Sequence, residues 1–155
     1  LWPHILFGAI ALIAGPFLLW EPFRNRYLQA HRRLGMAYVV AVLTSGFCAI
    51  GLSATTAYEV NRPYAFSLHV WVGIWLFSTL FAFVAVKQRK VKLHREWMVR
   101  SYLLTFAFVL SALLLKLPGI QWFGSFEEIS PSLFWLSWSV PLFAYDVKLS
   151  LGGQS

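Results

Sequence analysis

Charged residues in this chain are confined to short intervals, and between them run apolar segments of about twenty residues each. The segments cover roughly 3 to 20, 34 to 55, 66 to 86, 98 to 117 and 131 to 149. A helix rises about 1.5 Å per residue and the hydrocarbon core of a bilayer is about 30 Å thick, so one such run makes one crossing. With 59% of residues hydrophobic and only 12% charged, a water-soluble helical domain could not cover itself in polar side chains. Backbone groups in lipid must bond to one another, which leaves helices or a closed barrel, and runs this long exclude the barrel's short alternating strands. The expected fold is therefore all-α, a polytopic transmembrane helix bundle of five spans forming a single domain over 1–155.

Orientation follows from the cations. Arg24, Arg26, Arg32 and Arg33 lie between the first two spans, Lys87, Arg89, Lys90, Lys92, Arg95 and Arg100 between the third and fourth, and Lys148 closes the fifth. Of the thirteen Lys and Arg, only Arg62 and Lys116 fall toward the other face, so the positive-inside rule makes the basic face cytoplasmic. An integral protein of a bacterial inner membrane fits this pattern. The net charge of +7 then reports topology and attraction to anionic membrane lipid, and the apolar spacing holds no nucleic-acid module.

The chain opens at Leu1, without a methionine and already inside an apolar run, so processing or a further upstream helix is expected. The first span lacks a signal peptide's charged start and small-residue cleavage site, running straight into Trp20, Glu21 and Pro22. The single Cys48 lies mid-span and offers neither a disulfide nor a cysteine cluster for a metal. Gly152, Gly153 and Gln154 read as a frayed tail.

Only four histidines occur, and each opens a different span: His4, His31, His69 and His94. Successive spans run in opposite directions, so His4 and His69 fall on the outer face and His31 and His94 on the cytoplasmic one. Two imidazole pairs stacked across a membrane are what two bis-histidine b haems require. One turn on along the same face stand Gly8, Gly35 and Gly73, where a missing side chain would leave room for a flat macrocycle. His94 departs from the pattern, with Met98 at that place. A helix N-terminus also disfavours the imidazolium, and neutral imidazole is the ligating form. Against this, a single interfacial histidine commonly serves as a polar anchor, and glycine is frequent at membrane helix contacts.

The string Ser67 to Gly73, S-L-H-V-W-V-G after Tyr64, resembles the Y-S-L-H-S-W-L-G segment of the cytochrome b561 family of transmembrane dihaem reductases. His4-Ile5-Leu6 with Gly8, Gly15 and Arg24 is similar to that family's earlier H-P-L-L-M helix, though Ile5 replaces its proline. Over about 2–105 this resemblance implies a four-helix core with two b haems, ligated by His4 with His69 and by His31 with His94. A second resemblance covers nearly the whole chain. His4 to Pro16, H-R-R-L-G-M-A-Y from His31, H-R-E-W-M-V-R-S-Y from His94 and W-L-S-W from Trp135 look like the bacterial membrane family called domain of unknown function 2306. That second resemblance implies no particular activity. A histidine at the place of His69 is not general in that family, so there the chain leans toward the dihaem cytochromes.

Among the basic residues near the cytoplasmic pair, Arg100 stands out, because it lies beyond Trp97 and Met98 inside the start of the fourth span. It is placed to hold a haem propionate through charge-assisted bonds, while Arg32, Arg33 and Arg95 read more simply as solvated topology determinants. Tyr38 and Tyr102 are expected at the interface or beside a haem, and the 18% aromatic content reads as an interfacial belt with lipid-facing bulk. The 118–130 loop, with Glu127 and Glu128, reads as solvated or as a partner contact, and Asp146 as a partner of Lys148 or the basic loops. No H-E-x-x-H, P-loop or glycine-rich strand-to-helix motif is present, which removes metal-hydrolase and nucleotide-binding readings. The expected function is electron transfer across the membrane by a dihaem b-type cytochrome, with unidentified donor and acceptor. The alternative is a non-catalytic subunit of a larger membrane or redox complex that keeps the bundle without the haems.

Overall fold

A computed structural model describes residues 1–152. The helices are α1 (Trp2–Leu19), α2 (Glu21–Arg26), α3 (Leu28–Ala54), α4 (Thr56–Val60), α5 (Arg62–Lys87), α6 (Val91–Thr105), α7 (Ala107–Leu114) and α8 (Phe126–Gly152). A short 3-10 turn, Ile120–Phe123, precedes α8. Four segments are long and apolar enough to cross a bilayer: Trp2–Leu19, Leu28–Val60, Arg62–Lys87 and Val91–Leu114. The protein is an all-α membrane bundle.

The fifth expected span lies in α8, which is 27 residues long but richer in Ser than the other four and holds two interior prolines. It nevertheless runs the full height of the bundle. At one end the Asn61 amide, which caps α5, also donates to the Glu127 carbonyl; at the other Asp146 binds Arg100. The helices extend beyond the expected spans mainly on their charged sides, as at Leu28 to Arg33 and Val91 to Arg95. Arg, Lys and Gln are good helix formers once outside hydrocarbon, so the apolar run marks the lipid layer and not the helix end.

The bundle is sorted in the opposite sense from a soluble protein. Ile13, Phe17, Phe47, Phe66, Phe77 and Phe143 face outward, whereas the buried polar residues among those described are all Ser or Thr. Lipid tails are as apolar as leucine, so helices adhere by close packing and by hydrogen bonds. Ala11, Ala14 and Gly15 of α1 provide the close approach to neighbouring helices. A buried hydroxyl cluster provides the bonds: Tyr38 Oη lies 2.9 Å from both Ser101 Oγ and Thr105 Oγ1, and Thr79 Oγ1 lies 2.7 Å from Ser101 Oγ. Trp75 donates its indole N–H to Thr105 Oγ1 at 2.9 Å, and Trp71 donates to the Leu104 carbonyl at 3.1 Å, just before the break between α6 and α7.

Two interior prolines account for two further inter-helix bonds. Pro16 has no N–H to give the Leu12 carbonyl one turn back, and Pro131 likewise leaves the Glu127 carbonyl without its helical donor. An unmet carbonyl is costly, in lipid above all, and a residue from elsewhere in the bundle supplies each missing proton. Tyr102 Oη of α6 donates to Leu12 O at 3.3 Å, and Asn61 serves Glu127 O.

Candidate functional site

The cytoplasmic end is built by the first turns of α3 and α6. A tight turn at Gln88 to Lys90, with Arg89 in the left-handed region at φ 60°, reverses the chain so that α6 starts beside the end of α5. His94 Nδ1 consequently meets the Ala82 carbonyl at 2.8 Å. A carbonyl can only accept, so the proton sits on Nδ1 and the Nε2 lone pair is left free, the arrangement that orients a metal-ligating histidine. His31 lies within electrostatic range of His94, with Arg24 and Arg32 also nearby. Its Nδ1 is buried and has no hydrogen-bond partner. His31 and His94 thus both belong to the cytoplasmic end, each in the first turn of its helix.

Arg100 sits about 9 Å further along α6 than His94, taking six residues at the helical rise. Its Nε and Nη2 both donate to Asp146 Oδ1, at 3.0 and 2.7 Å, and its plane lies over the Trp97 and Tyr145 rings at 4.8 and 5.4 Å. Nη1 is buried without a partner. Asp146 therefore pairs with a span residue and not with Lys148, while Glu21 takes Arg24 and Arg95.

The outer pair is arranged differently. His4 Nδ1 lies 3.0 Å from both the carbonyl and the hydroxyl of Ser45, and the Ser45 hydroxyl also lies 3.0 Å from the His4 carbonyl. His69 Nδ1 donates to the Ala65 carbonyl of its own helix at 2.7 Å, and its Nε2 faces Ser53 Oγ at 3.3 Å. Ser45 and Ser53 are eight residues apart on α3, so the two rings stand at levels about 12 Å apart. His4 lies alongside the middle of α3, and the structure does not bring it to His69.

The glycines also divide. A methyl at Gly8 would meet Ser45 Oγ at 3.4 Å and one at Gly35 would meet Leu18 at 3.8 Å, so both face the α1–α3 contact. Gly73 is exposed, with open space where its side chain would be. Glu128 accepts from the Ser125 N–H at 2.7 Å and closes the first turn of α8. That bond holds its carboxyl below the usual carboxylate range. Sequence reasoning missed the Tyr38 hydroxyl cluster and the inward Trp71 and Trp75. The signal was present, since Trp71, Trp75, Thr79 and Ala82 recur at helical spacing on one face.

The profile of the family described as "Predicted membrane protein (DUF2306)" matches residues 1–146. The chain belongs to that family. No curated protein and no solved structure matches it. For DUF2306 the match therefore establishes an integral membrane protein in contact with lipid, while the similarity to cytochrome b561 rests on the quoted sequence segments. Among the described residues no group of three or more His, Cys, Asp and Glu could hold a metal ion, and a bis-histidine iron asks for only two.

Proposed function

We propose that this protein is a b-type membrane cytochrome of the bacterial inner membrane that exchanges single electrons at its cytoplasmic end. The observation that carries this reading is the placement of His31 and His94 at one end of the bundle within electrostatic range of each other, the one with a buried and unpaired ring nitrogen, the other with its Nδ1 anchored and its Nε2 free. These two residues would hold one haem b, and the buried, unpartnered Nη1 of Arg100 would take a propionate. When bound, such a haem supplies a one-electron couple, tuned by its axial ligands and their hydrogen bonds. The chain contributes the rest: Ala82 fixes the His94 ring and its tautomer, and both histidines are partly buried, which limits water at the site.

The outer residues fit less well. An iron bonded to two imidazoles needs their nitrogens about 4 Å apart, twice a metal–imidazole bond of about 2 Å. His4 and His69 stand farther apart than that, so a second haem asks α1 to slide along α3 by about two turns. Electron passage across the full membrane depends on that second group.

Haem content per chain of the purified protein, read with the reduced-minus-oxidised spectrum, tests the reading. One b haem is expected, lost in His31→Ala and in His94→Ala and kept in His4→Ala and His69→Ala. Two haems per chain would support transmembrane transfer and require α1 to move. A chain without extractable haem would overturn the cytochrome reading in favour of a non-catalytic subunit, for which the exposed Trp122 and Phe123 of the outer loop offer a contact surface.

A further inference from the structure

The cations of the cytoplasmic end fall into two groups. Glu21 is shared by Arg24 and Arg95, and Asp146 pairs with Arg100. The other cations of that end have no carboxylate partner among the described residues, and of these Arg26, Arg32 and Arg33 lie together on α2 and the start of α3. Arg26 and Arg33 line a groove between α2 and the start of α3, together with Tyr27 and Gln29. A second groove, walled by Phe7 and Ile10 of α1 and by Met36 and Val40 of α3, begins where the first ends, and Arg33 and Ala37 belong to both. The two grooves therefore adjoin along α3, both open at the side.

We propose that the adjoining grooves form a binding site for an anionic glycerophospholipid of the cytoplasmic leaflet. Its mouth and its length differ in chemistry as the two ends of such a lipid do. Two uncompensated guanidiniums and the Gln29 amide offer forked donors to a phosphate, and a zwitterionic headgroup would bring an ammonium into the same positive field. Arg26 lies over the Tyr27 ring at 5.5 Å, with Phe23 against that ring, so the mouth has an aromatic floor at headgroup level. From Arg33 to Ala41 is eight residues, about 12 Å along α3, which approaches the depth of one leaflet's hydrocarbon. Phe7, Ile10, Met36 and Val40 wall that depth against an acyl chain, and Met36 can adapt its shape to it. Ala37 is the saddle between the halves, small enough to keep them joined. Arg32 carries the same charge one residue away but lines neither groove.

Native mass spectrometry of the detergent-purified protein, incubated with phosphatidylglycerol or phosphatidylcholine of matched acyl chains, tests the site. Phosphatidylglycerol should be retained in preference, and Arg26→Gln or Arg33→Gln should each lower retention about fivefold. Arg32→Gln should leave it unchanged, and Ala37→Leu should lower it without altering charge. Equal retention of the two lipids, an Arg32→Gln loss as large as that of Arg33→Gln, or indifference to Ala37→Leu would each overturn the proposal, leaving a diffuse surface field. Should Arg33→Gln fail to fold, Arg26→Gln and Ala37→Leu decide the same question.

Discussion

The contact between Gly15 and Tyr102 offers the sharpest test of how the bundle is held together. Tyr102 lays its ring over Gly15 and reaches past it to the Leu12 carbonyl that Pro16 leaves unmet. A Cβ added at Gly15 would stand 2.1 Å from both Cδ2 and Cε2 of that ring. Carbon atoms rest about 3.5–4 Å apart, so the ring or the helix must retreat by about 1.5 Å. The bond to Leu12 is already 3.3 Å long and would not survive such a shift. Overpacking of this kind costs about 1–3 kcal/mol. Loss of an inter-helix hydrogen bond in a membrane protein adds about 0.6–1.7 kcal/mol. Gly15→Ala should therefore destabilise the protein by about 2–4 kcal/mol, read from unfolding by SDS in mixed micelles. The decisive comparison is the same substitution in a Tyr102→Ala background. With the ring gone, the new methyl meets no clash, and alanine's better helix propensity, worth about 1 kcal/mol over glycine, should make the change neutral or stabilising. An equal cost in both backgrounds would refute the argument.

Three further outcomes follow from the same geometry. Gly73→Leu should leave haem content unchanged, because that position opens outward, and a loss of haem there would show that a macrocycle lies against α5. Glu128→Gln should destabilise the protein at neutral pH but not in acid. The folded carboxyl is depressed, so its contribution is complete above the unfolded pKa and disappears as pH falls through the folded one, and parallel denaturation curves at all pH values would contradict this. In a Cys48→Ala background, Glu127→Cys should react with an impermeant thiol reagent on intact cells and Arg89→Cys should not; the reverse would invert the topology and move the lipid groove to the outer leaflet.

The fold was legible because lipid imposes a requirement on every residue of a span, and a run of apolar residues registers it directly. The depth at which residues of different helices meet is not recorded that way. His4 reads as an end residue because the chain opens there, yet its level is set by Ser45, forty-one residues on. Spacing of four relates Gly73 to His69 within α5, but says nothing of whether that face meets a neighbour or the surroundings. Trp71 and Trp75 read as interfacial because tryptophan usually is; here Thr105 and the Leu104 carbonyl give their N–H groups partners inside the bundle. The cytoplasmic pair was legible for the opposite reason. His31 and His94 each belong to a first turn, so their placement at the same end of the bundle needed only the alternation of helix direction.

The composition of α8 has a consequence for how the protein is made. It carries Ser130, Ser137, two interior prolines and Asp146 into a region where the preceding helices bring mostly aliphatic and aromatic side chains. Insertion by partitioning alone rewards hydrophobicity residue by residue and penalises an acidic group most. What α8 lacks in that respect is waiting for it on the helices already in place, as the Asn61 amide for the carbonyl freed by Pro131 and the Arg100 guanidinium for Asp146. The preceding helices thus act as the receptor on which α8 docks, supplying partners that its own sequence lacks.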